Sequence, residues 1–443
     1  TNHSFKMSID YVIQPGGRLR GRVRVPGDKS ISHRAVILGS LADGPTRVQG
    51  LLEGEDVLAT LVAFRDMGVG ISQPQEGGLT IQGVGLYGLR PPPGPLDMGN
   101  SGTAMRLMAG VLAAQTFDSE LTGDDSLQKR PMQRVAQPLN AMGAGIATGD
   151  GGYPPLSITG GRKLHGIDYV MPLASAQVKS ALLLAGLYAA GETAITEPST
   201  TRDHTERLLR AFGYDVTTSD HTVRVCGGGR LTGRELDVPG DLSSAAFFVV
   251  GAAIAPEADM TVENVGINPT RAGILGLLQR MGAKLEVINK RQVGLEPVAD
   301  IRVRNSRLSG IVIAEDEVSL TIDEFPILFV AAACAQGETH LRGAQELRVK
   351  ESDRIAVMTE GLRRLAIDAR ETPDGIIIRG GPVSGGDVDS HGDHRVAMAF
   401  AMVGLVAQAP VIVRDCKNVD TSFPGFVEFA GRAGLSIKAV TRD

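Results

Sequence analysis

The stretch VPGDKSISHRA at Val25–Ala35 decides the fold, because its opening returns as VPGDLSSAA at Val238–Ala246. Each copy sets a turn-forming Pro-Gly in front of a small-residue apolar segment. Four more such segments follow, each opened by Ser, Thr or Asp. The six begin near Lys29, Ser101, Ser175, Ser243, Thr321 and Gly392, between 68 and 78 residues apart. They read KSISHRAVILGSLA, SGTAMRLMAGVLAA, SAQVKSALLLAGLY, SSAAFFVVGAAIA, TIDEFPILFVAAACA and GDHRVAMAFAMVGLVA. All are apolar nearly all round, which predicts buried helices. A short alternating strand-like piece follows each: TRVQG, SELTG, TAITE, MTVEN, THLRG and VIVRD. Next comes an amphipathic helix with a small-residue stop, at Gly68, Gly143, Gly213, Gly282, Ala366 and Gly434.

A period of about 70 residues repeated six times indicates duplicated α/β units rather than a solenoid of short repeats. The two VPGD copies stand 213 residues apart, three periods of 71, so the chain reads as two domains of three units each. The predicted first domain is 27–238. The second is 1–26 plus 239–443, with the N-terminal strands MSIDYVIQP and GRVRV completing it. The VPGD segments would then be hinges, and the chain would cross between domains twice. Met7 is a candidate native start, and the residues before it are left out of the fold reading.

Composition bounds the function. With 443 residues, 42% apolar and 21% charged, the chain suits two globular domains. A net charge of −5 argues against nucleic acid as a partner, so any anion site must be local. Cys226, Cys334 and Cys416 are few, odd in number and without metal-ligand spacing, which suits reduced thiols and the cytoplasm. The longest apolar runs fall short of the roughly 20 residues of a spanning helix, so no membrane partner is expected. TNHSFKMS is no secretory signal.

Parallel inner helices would present free N–H groups and positive dipole ends together, where anions bind. Lys29, Arg34, Arg106, Lys179 and Arg395 lie at or near those starts, and loops add Lys129, Arg130, Arg202, Arg348, Lys350 and Arg354. That sorting predicts a cleft with more than one anionic ligand. GVGLYG at 83–88 fits G-x-G-x-x-G, but the LRPPPG after it cannot open a helix, and PGDKS lacks a nucleotide-loop frame. HGDHR has the residues of a metal ligand set, yet Asp393 and His394 opening a helix would satisfy backbone donors without one. Asp323, Glu324 and Glu351 are either ordinary ion pairs or proton-transfer groups among the bases.

PGDKSISHRA, GNSGTAMR, QKRPM, ASAQVKSALLLAGL, TRDHTERLL, TIDEFP, LRVKESDR and DHRVAM, in that order, resemble the 5-enolpyruvylshikimate-3-phosphate synthase family. The resemblance runs from about Gly21 to Phe426. It implies a two-domain inside-out α/β barrel, with six βαβαββ units around parallel buried helices and a two-stranded hinge. The implied reaction moves the enolpyruvyl group of phosphoenolpyruvate to the 5-hydroxyl of shikimate 3-phosphate, in the pathway to chorismate. By motif match, Lys29, Ser30, Arg34, Ser175, Ala176, Gln177, Arg202, Asp323 and Lys350 would hold shikimate 3-phosphate. Lys29, Gly102, Arg130, Gln177, Arg354, His394 and Arg395 would hold phosphoenolpyruvate. Asp323 is the implied base, Glu351 the acid/base, and Lys29 their assistant. No metal or organic cofactor is implied, and a monomer is expected.

Two positions depart from or qualify the pattern. Many family members carry Lys where TSFPGF has Thr421, with Lys417 nearby but out of register. Gly102 sits where bulk influences inhibition by glyphosate, while the SISHR and SAQVKS wording resembles a subgroup with tolerant members. The sister enzyme acting on UDP-N-acetylglucosamine uses a loop cysteine in most members, and TGDDSLQKRP has none. A non-catalytic anion binder would be expected to lose Asp323, Glu351 or Lys29.

Overall fold

A computed structural model of the chain describes residues 8–442; Met7 and the residues before it lie outside the described residues. Inner and outer helices alternate along the chain. One half carries α1 (Lys29–Leu41), α2 (Glu55–Asp66), α3 (Gly102–Leu112), α4 (Gln133–Ala141), α5 (Ala176–Gly186) and α6 (His204–Ala211). The other carries α7 (Leu242–Ile254), α8 (Gly273–Arg280), the one-turn α9 (Val318–Thr321), α10 (Phe325–Ala333), α11 (Arg354–Arg364), α12 (His394–Val403) and α13 (Phe426–Ala433).

The inner helices α1, α3, α5, α7, α10 and α12 are buried along nearly their whole length, which their all-round apolar sequences require. Their first N–H groups have no partner within the helix, and side chains serve some of them. Asp28, Ser101, Ser175, Asp241 and Asp393 accept hydrogen bonds from the first turns of α1, α3, α5, α7 and α12. The Asp of each VPGD copy is therefore a helix cap. The two copies also bond through the backbone: Asp28 N–H donates to Pro239 O at 2.8 Å, and Asp241 N–H to Pro26 O at 2.9 Å.

The fifth inner helix differs from its expected start at Thr321. The chain makes the single turn α9, breaks at Asp323 and Glu324, and resumes at Phe325. Pro326 lacks an N–H and is tolerated only in a first helical turn, so the helix must begin beside it. That break leaves two carboxylates at a helix start.

Among the described residues, six four-stranded sheets share one pattern, in which a parallel pair is extended by two antiparallel neighbours. Leu96–Asp97, Ser119–Thr122, Leu156–Thr159 and Gly145–Thr148 show it, in spatial order. With the helices placed in sequence, this unit runs β-α-β-α-β-β. The last sheet has no such final strand from its own segment. Ser8–Ile13 fills the place, antiparallel to both Val411–Arg414 and Ile437–Arg442. Arg20–Val23 likewise opens the sheet of Asp259–Gly266.

The chain divides into two compact units, each with its own hydrophobic core. The first comprises Gly27–Pro239 with Gln292–Glu296. The second takes the described residues up to Pro26, Gly240–Arg291 and Pro297 onward.

Candidate active site

In the first unit, buried side chains join the starts of α1, α3 and α5. Arg34 on α1 donates through Nε to Thr205 Oγ1 at 2.6 Å, through Nη2 to Ser180 Oγ at 2.7 Å, and through Nη1 to the Ser30 carbonyl at 2.8 Å. Burial brings its pKa down to about 10 against the pull of Glu206 and Asp28. His33 meets Thr60 Oγ1 at 2.8 Å and Ser101 Oγ at 3.4 Å. Burial first, then Lys29 and Arg34, hold its imidazole well below the usual range, so it stays neutral. Arg106 on α3 donates to Gln177 Oε1 on α5, and Gln177 Nε2 to Thr103 Oγ1 at 2.9 Å.

Lys29 opens α1, with its ammonium 2.8 Å from Asp56 Oδ2 on α2. Gly102 opens α3, where an added Cβ would stand 3.0 Å from Arg106 Nη1 and 3.2 Å from Arg130 Nη1. The missing side chain leaves those two guanidinium groups their room. Arg130 is buried and donates to Asn100 Oδ1 at 2.7 Å. Ser175 caps α5, Ala176 and Gln177 form its first turn, and Arg202 stands on the loop before α6.

In the second unit, the break before α10 sets Asp323 among three cations. Its Oδ1 lies 3.6 Å from Arg354 Nη1 and 4.0 Å from Lys350 Nζ, and its Oδ2 lies 3.9 Å from Arg395 Nη2. Glu351 accepts from Arg354 Nη2 at 2.7 Å. Arg354 is fully buried, and Asp393 Oδ2 accepts from its Nε at 2.8 Å. Burial works against its charge, but Asp393 and Glu351 outweigh that and hold its pKa above the usual arginine value. Burial lowers the Lys350 pKa, opposed by Asp323, Glu346 and Glu351 and aided by Arg354. His394 is buried as the first residue of α12, and Arg395 follows it.

Some sequence expectations change. Lys179, expected among the cleft bases, is enclosed between Glu197 and Glu206, because the fourth residue of α5 points inward. Arg348 spends its donors on Asp353, Glu371 and backbone carbonyls. Glu324 is buried and accepts from the Ser243 hydroxyl, with Arg271 Nη2 at 3.5 Å. It is an interior ion-pair partner, whereas its neighbour Asp323 reaches the cation group. Asp393 serves as cap and as the Arg354 counter-ion together. Thr421 is buried and donates to Asn418 O, while Lys417 is exposed. Asp56 lies outside every motif above and Thr205 lies within TRDHTERLL without a role of its own there; their buried partners reveal both.

Cations and a few carboxylates gathered at helix starts are a setting that suits small polyanions. The sequence matches the EPSP synthase (3-phosphoshikimate 1-carboxyvinyltransferase) family over residues 13–429. It is 62% identical to a 3-phosphoshikimate 1-carboxyvinyltransferase of Alkalilimnicola ehrlichii, covering 97% of this chain and 96% of that protein. One from Nitrosococcus oceani is also 62% identical, with 97% of each covered. The structure of an EPSP synthase from Acinetobacter baumannii superposes with a TM-score of 0.87 at 56% identity, covering 98% of this chain and all of that one. The chain belongs to the EPSP synthase family.

Replacing Asp393 by Ala removes both a helix cap and the buried counter-ion of Arg354. Loss of one partner of a buried pair costs about 3 kcal/mol or more, against about 1 kcal/mol for a cap alone. Urea unfolding should show the larger figure; a loss of cap size only would mean Arg354 does not depend on this carboxylate.

Proposed function

We propose that the chain transfers the enolpyruvyl group of phosphoenolpyruvate to the 5-hydroxyl of shikimate 3-phosphate and releases phosphate, on the route to chorismate and the aromatic amino acids. The observation that carries this reading is the Asp323 carboxylate among Lys350, Arg354 and Arg395, beside Glu351, in a chain of this family. Shikimate 3-phosphate is assigned to Lys29, Ser30, Arg34, Ser175, Ala176, Gln177, Arg202, Asp323 and Lys350. Phosphoenolpyruvate is assigned to Lys29, Gly102, Arg130, Gln177, Arg354, His394 and Arg395. Guanidinium forks match carboxylate and phosphate oxygens in pairs, and both substrates carry such groups.

The reaction is an addition followed by an elimination. The acceptor hydroxyl attacks C2 of the enol while C3 takes a proton, giving a tetrahedral ketal. Loss of phosphate from C2 and of a proton from C3 restores the double bond. Asp323 is assigned the hydroxyl proton. A carboxylate is far too weak a base to make an alkoxide first, so Asp323 takes the proton in concert with attack. Glu351 is assigned the C3 proton in both directions. Lys29 stabilises charge that develops at the reacting oxygens. The repeats support the inside-out barrel of the family as the finer description of the fold. The three free cysteines suit a cytoplasmic setting, and the chain is read as a monomer, which sedimentation at the mass of one chain would check.

The test is phosphate release from phosphoenolpyruvate in EDTA, with shikimate 3-phosphate or UDP-N-acetylglucosamine as acceptor. Release with the first acceptor alone is expected. Release with neither, from folded protein that binds both ligands, would sink the catalytic assignments. Glu351→Gln should lower turnover far more than affinity for shikimate 3-phosphate; equal losses would remove Glu351 from its role. Lys350 binds an anion only while charged, and its lowered pKa means that charge is lost as pH rises, beginning below the ordinary lysine value near 10.4. The alkaline limb of kcat/KM for shikimate 3-phosphate should therefore start below that value and move upward in Lys350→Arg. A limb that stays put would assign it to another group.

A further inference from the structure

Lysine is among the costliest side chains to bury, yet Lys179 is 1% exposed in the core of the first unit. Its ammonium lies 2.8 Å from Glu197 Oε1 and 2.8 Å from Glu206 Oε1. Burial works against its charge, but Glu206 and Glu197 outweigh it and raise its pKa, so the lysine is charged. An apolar side chain of similar size would often serve stability as well or better, so the net stability of this cluster does not explain it. Its placement does. Glu197 ends the stretch that begins with strand Glu192–Thr196, and Glu206 lies in the first turn of α6. Between them runs the loop that carries Arg202, and both of its ends are fastened to one ammonium.

Further bonds fix the same loop. The Thr201 hydroxyl donates to Glu197 Oε2. Thr205 Oγ1 lies 2.7 Å from Ser180 Oγ and accepts from Arg34 Nε. Ser180 Oγ in turn donates to the Ala176 carbonyl at 2.7 Å, so the contacts end at the start of α5, beside Ser175 and Gln177. We propose that Lys179 is a positioning residue, holding the Arg202 loop against the start of α5 so that Arg202 and Ser175–Gln177 address one acceptor substrate together. This rests on their assignment above to shikimate 3-phosphate.

The test compares wild type, Lys179→Met, Lys179→Arg and Glu197→Gln by calorimetric titration with shikimate 3-phosphate alone and by KM for each substrate. Misplacing a binding group by about an ångström can cost up to about a hundredfold. Lys179→Met should weaken shikimate 3-phosphate binding roughly ten- to a hundredfold while KM for phosphoenolpyruvate holds, and Lys179→Arg should recover much of the loss. If Lys179→Met does not fold, Glu197→Gln keeps the Lys179–Glu206 pair and should show the same selective loss at smaller size. Unchanged affinity in a folded variant, or equal rises in both KM values, would overturn the proposal. A wild type that does not bind shikimate 3-phosphate would overturn the underlying assignment as well, and so is told apart from those outcomes.

Discussion

A helix begins with N–H groups that have no partner within the helix, and much of this protein follows from meeting that demand where helices are buried on nearly every face. Asp28, Ser101, Ser175, Asp241 and Asp393 answer it with side-chain oxygens. Capping leaves other donors and the positive dipole end unanswered, so each start favours negative charge. Within the first unit, Arg34, His33 and Arg106 link three such starts to one another. Within the second, Asp323, Arg354 and Arg395 all stand at helix starts.

The buried charges differ in how closely they are paired. A buried cation with close carboxylates is satisfied internally: Lys179 has Glu197 and Glu206, and Arg271 has Asp241 and Glu324. Lys350 differs, because its carboxylates are near 4 Å rather than in contact. Arg354 stands between the two cases, anchored by Asp393 through one edge while its other nitrogens point toward Glu351 and Asp323. Anchoring one edge of a guanidinium keeps the rest of its fork oriented.

Several features were legible along the chain because they depend on near neighbours. The VPGD copies announced two like halves, the all-round apolar segments announced interior helices, and the small-residue stops announced helix ends. The stops hold even where glycine is missing, since Ala366 takes a φ of +66° in place of the glycine used by the other five. Pro326 was legible in principle: its missing N–H moves the start of α10 from Thr321 to Phe325, although the apolar pattern alone suggested a longer helix.

Which basic residues are neutralised inside the fold was not legible. Lys179 and Lys29 look alike in sequence, each near the start of an inner helix. They differ because Lys179, at the fourth position of α5, meets two glutamates from a strand end and the next helix, while Lys29, at the first position of α1, lies beside Asp56 and keeps more of its side chain exposed. Sequence by itself determined the repeat, the helix ends and the residue types at each helix start, because these obey backbone sterics and local hydrogen bonding. Only the tertiary structure decided which charges neutralise one another, because that depends on distances between residues far apart along the chain.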